Sequence, residues 1–137
     1  MPHSNDFKWY RISSIEVPET TRVIAFHCHN TGGSFGIRGS VETSIWTGDK
    51  VVLTRTDTDW RCSGVEESGW ETTDFRETEA WGQAVIASLR LEDLEGIAKN
   101  ARSIWNKAGS SDTYCRKEID IRTFMTCTFD RPNKRSY

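Results

Sequence analysis

The sequence predicts an all-β fold, an antiparallel β-sandwich with at most one short helix. Short runs rich in aromatic and β-branched residues alternate with Gly, Pro, Asn and Asp clusters, which is the pattern of strands and turns. Six Trp, six Phe and three Tyr must supply much of the interior of a chain that is only 36% hydrophobic, and large rings suit a thin sandwich core. Four cysteines, at 28, 62, 115 and 127, contain no C-x-x-C pair, so two disulfides fit better than a zinc knuckle or a redox motif. A length of 137 residues suits one domain, 1–137.

Taken in order, Phe7 to Val17 reads as a strand broken by Pro18-Glu19-Thr20-Thr21. Arg22 to His29 is the strongest strand, with Val, Ile and Phe close enough together to suggest burial on both faces at the sandwich centre. Asn30 to Gly33 ends it, where glycine permits positive φ. Phe35 to Val41, Thr43 to Trp46 and Val51 to Thr56 follow as short strands, with Gly48-Asp49 as the hairpin turn between the last two. Asp57 to Gln83 reads as a long polar loop whose Trp60, Trp70, Phe75 and Trp81 pin it to the sheet. From Leu91 to Trp105 the spacing turns helical, with Leu91, Leu94, Ala98, Ala101 and Trp105 on one face and Gly96 weakening it. Thr113 to Ile121 and Thr123 to Phe129 close the chain as strands. No internal repeat or low-complexity tract interrupts this order.

The formal charge of -2 arises from 18 basic and 20 acidic residues spread without long blocks of one sign, which argues against a nucleic-acid partner. No apolar run reaches the ~20 residues that span a bilayer, so no membrane span is expected. Met1 to Tyr10 contain no apolar signal-like core, and the expectation is a mature or excised piece of a secreted protein. Catalytic patterns are missing: there is no G-x-S-x-G elbow, no H-E-x-x-H helix and no phosphate-cradling glycine loop. Gly32, Gly33, Gly36 and Gly39 precede a β-like element, not the helix that would hold a phosphate. The expectation is therefore a binding module, not an enzyme.

Several fragments taken together carry a resemblance: TRVIAFHCHNTGGSFGIRGSV, then DWRCSG, GWETTDF, AW, IW and TYCRKEI. In this order they resemble the galactose-binding-domain-like β-sandwich modules of invertebrate extracellular proteins and lectin-like adhesins, over about residues 20 to 120. The resemblance implies a galactose-binding-like jelly roll, secreted or surface-displayed. It also implies that first edge strands are missing here, leaving an edge that a partner strand or a second copy would cover. By the same resemblance Cys62 pairs with Cys115, leaving Cys28 for Cys127.

The function implied is a lectin-like module that binds a terminal sugar, galactose-type first, on glycans or glycoproteins, without catalysis. Sugar recognition needs an apolar platform and planar groups that meet two hydroxyls at once. His29, Asn30, Arg38, Trp46, Asp59 and Arg61 form the candidate set. His27 and His29 alternate onto one strand face, where a surface pair is the simpler reading and a metal or sugar contact the sharper one. Asp57, Asp59, Glu66 and Glu67 offer oxygen ligands to calcium without EF-hand spacing. Two other functions fit the same residues: a structural or adhesion module whose ligand is protein, and an accessory domain of a glycoside hydrolase. A free-standing lectin would gain from multivalency, so a homo-oligomer is expected.

Overall fold

The computed structural model describes residues 14–30, 36–44, 46–87 and 97–119. Within them lie eight strands, β1 (Val23–His29), β2 (Ser40–Ser44), β3 (Lys50–Arg55), β4 (Arg61–Ser63), β5 (Gly82–Gln83), β6 (Val85–Ile86), β7 (Ile104–Trp105) and β8 (Asp112–Glu118). All pairings are antiparallel, and no helix occurs among the described residues. The four-stranded sheet runs β1-β8-β4-β5, and β2-β3 and β6-β7 form two-stranded ribbons. The all-β antiparallel expectation is met.

Side chains on a strand alternate between faces, and here that alternation sorts the core. Ile24 and Phe26 of β1, Cys62 of β4 and Cys115 of β8 lie on one face. There they join Trp60, Ala84, Val41 of β2 and Ile104 of β7 in the main cluster. Ala25 and Tyr114 lie on the opposite face with Trp70, Phe75 and Trp81 from the β4–β5 connection. That connection is long and polar, yet its aromatics anchor it as expected. Trp70 meets Tyr114 edge-on at 5.4 Å, and Phe75 meets Trp81 in the same way at 5.3 Å.

Cys62 and Cys115 are directly opposed across β4 and β8, and their sulfurs are bonded. The implied first disulfide is therefore present. Among the described residues Cys28 carries a free thiol, which burial pushes up to about 11, while Cys127 lies outside those residues.

Three expectations about elements are corrected. The helix over Leu91 to Trp105 is not formed where the chain is described, from 97 onward. Ala98 to Ala101 is a turn closed by Ala101 N–H donating to the Ala98 carbonyl, with Asn100 at φ 70°, and Ile104-Trp105 is strand β7 paired with β6. Ile104 and Trp105 are adjacent and both buried, which a two-faced strand allows and a one-faced surface helix does not. β1 is an edge strand among the described residues, and the interior positions belong to β8 and β4. Only Val23 and Ile24 of β1 are buried, and His27 and His29 are exposed. The strand expected over Phe7 to Val17 is not formed at 14–17, although Val17 packs on the main cluster; its earlier part, like that expected over Thr123 to Phe129, lies outside the described residues.

The β2–β3 hairpin turns at Gly48, whose φ of 88° suits glycine. Thr56, fully buried after β3, ties the ribbon to the later chain. Its N–H donates to the Gly39 carbonyl at 2.9 Å, its hydroxyl donates to the Arg102 carbonyl at 2.6 Å, and Arg102 N–H returns a bond to the Thr56 carbonyl at 2.8 Å. A buried hydroxyl is tolerated when paired in this way.

Candidate functional site

The Cys62–Cys115 pairing brings Arg61 directly opposite Arg116. Two like charges side by side on one sheet face repel each other, and an intervening acid is needed. Glu77, carried by the β4–β5 connection, supplies it. Arg61 Nε donates to Glu77 Oε1 at 3.0 Å, and Arg61 Nη2 lies 3.0 Å from the same oxygen. Arg116 Nη1 lies 3.8 Å from Glu77 Oε2.

Arg116 is the buried member of the group, with only 3% of its side chain exposed. Its Nη2 donates to the Thr72 carbonyl at 2.6 Å, its Nη1 donates to Glu118 Oε2 at 3.4 Å, and its guanidinium sits 5.4 Å from the centre of the Phe75 ring. Among the described residues its buried Nε has no hydrogen-bond partner. On the next residue of β8, Lys117 Nζ donates to Asp59 Oδ2 at 2.8 Å.

Asp59, Arg61, Glu77, Arg116, Lys117 and Glu118 line one cleft of about 170 Å³. Drug-sized ligands occupy roughly 300–1,000 Å³, so this space suits one small ring. Three carboxylates, a lysine and two arginines give it both acceptors and donors.

A second polar cluster closes the far end of β1 and β8. Asp112 stands opposite His29, and its Oδ1 accepts from His27 Nε2 at 3.0 Å and from His29 Nδ1 at 3.1 Å. The His27 ring stacks on Tyr114 at 4.3 Å. Hydrogen bonds from His27 and then His29 hold the Asp112 carboxyl below its ordinary value. Burial, then the charges of Asp112 and Glu66, push the Tyr114 hydroxyl up.

A carboxyl lowered in the folded state adds stability above its ordinary value of about 3.9, and that stability is lost as pH falls through the lower folded value. Asp112→Asn should therefore unfold at lower urea than the parent near neutral pH, with the gap closing below about pH 4. A gap that persists at the lowest pH would show that the imidazoles do not hold this carboxylate.

Of the six sugar candidates, Asp59 and Arg61 meet in the cleft. His29 and Asn30 lie together at the opposite end of β1, where Asn30 N–H donates to the Ser111 carbonyl at 2.7 Å. Arg38, half-buried before β2, and Trp46, 63% exposed on the β2–β3 turn, are not among the cleft residues. The acids expected to offer oxygen ligands to calcium do not come together. Asp57 accepts from Thr58 N–H at 2.8 Å and faces Arg102 at 3.9 Å, Asp59 holds Lys117, and Glu67 accepts from the Thr78 hydroxyl at 2.7 Å. These acids disperse to separate partners, and among the described residues no group of three His, Cys, Asp or Glu is placed to hold a metal.

Sequence reasoning passed over Glu77, Arg116, Lys117 and Glu118. A signal for three of them existed, since a bond between Cys62 and Cys115 in paired strands sets Arg61 against Arg116 and carries Lys117 and Glu118 with it. Comparison with known proteins finds no matching family model, no matching curated protein and no matching solved structure.

Proposed function

We propose that this protein is a non-catalytic, lectin-like carbohydrate-binding module that takes one terminal sugar, galactose-type first, in the cleft between Asp59 and Glu118. The observation that carries this reading is the lining of that small cleft, which combines carboxylates that accept with guanidinium and ammonium groups that donate. A sugar hydroxyl both donates and accepts, so it matches such a lining better than an apolar ligand would. The ordered motif series similar to galactose-binding-like modules supports the same reading, and with it a jelly-roll arrangement. Fold analogy alone would not suffice, because one sandwich hosts many functions. A secreted or surface location accords with a cystine, which persists in oxidising compartments. Homo-oligomers that raise avidity for glycoproteins belong to the same proposal.

A glycan array probed with the folded protein tests the reading. Binding to galactose-terminated glycans that Asp59→Asn abolishes is the expected result. Failure to bind any glycan at high density would reject it.

A second reading, an adhesion module with a protein ligand, draws on exposed apolar side chains: Trp46 at 63%, Val65 at 56% and Ile86 at 44%. It predicts that solution mass rises with concentration whether or not sugar is present.

A further inference from the structure

Glu77 differs from the rest of the cleft in how it is carried. Arg61, Arg116, Lys117 and Glu118 belong to strands β4 and β8, which the Cys62–Cys115 bond holds in register. Glu77 lies on the β4–β5 connection, where no strand is formed between Ser63 and Gly82. Its carboxylate sits between two guanidinium groups, close to Arg61 and more distant from Arg116. Paired guanidinium groups are the side-chain arrangement best suited to a planar carboxylate.

The pairing is incomplete on the Arg116 side. Its contact with Glu77 at 3.8 Å is too long for a hydrogen bond, and its Nε, buried with the rest of the side chain, has no acceptor among the described residues. A buried donor without an acceptor is costly, so an acceptor that reached it would be favoured.

We propose that Arg61 and Arg116 form a carboxylate receptor in which Glu77 is a tethered stand-in, and that the ligand is an acidic sugar, a hexuronate whose carboxylate replaces Glu77. This rests on the sugar-binding reading of the same cleft and names its substrate class. With Glu77 withdrawn, Arg61, Arg116 and Lys117 face Asp59 and Glu118, one net positive charge for one bound anion. The hydroxyls of the ring then meet Lys117, Asp59 and Glu118, while the carboxylate takes the guanidinium pair. Glu77 competes with the ligand, so an acidic sugar, able to replace its charge, gains more from the guanidinium pair than a neutral sugar does.

The test is calorimetric titration of the full chain with galacturonate, methyl galactoside and acetate. Galacturonate is expected to bind at least about tenfold more tightly than the neutral galactoside, because bonds to a charged acceptor exceed neutral ones. Acetate, lacking the ring, is expected to bind more weakly than galacturonate.

Glu77→Gln keeps the size of the side chain and removes the competing charge, so it should tighten galacturonate binding. Arg61→Lys keeps the charge but loses the fork and should weaken galacturonate binding more than it weakens binding of the neutral sugar. It serves as the second variant if Glu77→Gln does not fold. Equal affinity for galacturonate and galactoside, or equal affinity for galacturonate and acetate, would overturn the carboxylate receptor. If neutral galactoside binds in the cleft and galacturonate does not, this inference fails while the sugar-binding reading survives. If neither sugar binds and the glycan array is blank, both fall.

Discussion

Replacing Cys62 and Cys115 together by alanine should lower the unfolding free energy by about 4 kcal/mol, the loop-closure entropy that a link across some 50 residues removes from the unfolded chain. The bond spans a sequence separation of 53 and joins β4 to β8 in the middle of the four-stranded sheet. It supplies two buried side chains to the main cluster as well, and alanine would leave part of their volume unfilled. Urea denaturation of the oxidised parent, the reduced parent and the double variant provides the measurement. The reduced parent and the variant should both unfold well below the oxidised parent, the variant lowest because of the volume that alanine leaves unfilled. Coincident curves for all three would show that β4 and β8 are held by packing alone. Because the cystine also sets Arg61 against Arg116, the variant is expected to lose ligand binding at denaturant concentrations where its fold is still intact.

Trp60→Ala should cost about 3–5 kcal/mol, the range for deleting a large aromatic side chain from a packed core. Trp60 is 1% exposed, stacks on Phe26 at 5.2 Å, and donates from its indole nitrogen to the Arg55 carbonyl at 3.0 Å. Its backbone carbonyl also accepts from Ala84 N–H at 2.8 Å, so the residue connects the end of β3, the start of β4 and the β5–β6 junction. Trp60→Phe separates the two contributions. It retains most of the ring but leaves the Arg55 carbonyl without its donor, and about 1–3 kcal/mol is expected for that. Thermal unfolding followed by circular dichroism measures both, and a Trp60→Ala variant as stable as Trp60→Phe would show that the ring contributes little packing.

Much of this arrangement was legible in the residues because it depends on local chemistry. Val23 to His29, Lys50 to Arg55 and Asp112 to Glu118 carry strand composition, and Gly48 marks a turn that needs positive φ. Trp70, Phe75 and Trp81 stand in an otherwise polar stretch, and rings of that size in a connection have to be buried somewhere. Over its described part, from 97 onward, the helix reading of Leu91 to Trp105 failed because a spacing of three and four residues scores the same whether the apolar groups share a helix face or belong to a turn and a short strand. At Ile104, pairing with β6 and an isolated bridge to Ile37 outweighed local preference. The site was legible only in part. Asp59 and Arg61 were singled out, but His29 and Asn30 lie at the other end of β1, because strand pairing rather than residue type decides which ends of a sheet come together.

From the chain alone came the strand class, the β2–β3 turn and, through motif order, the cystine that joins β4 to β8. Each follows from side-chain chemistry acting over a few residues or from a covalent bond between two of them. Tertiary structure alone decided that β8 and β4 are the interior strands of the four-stranded sheet, that the acids at 57, 59 and 67 part company, and that Glu77 settles between Arg61 and Arg116. Strand order and the path of a connection depend on how distant apolar surfaces bury one another, and no local pattern of residues records that.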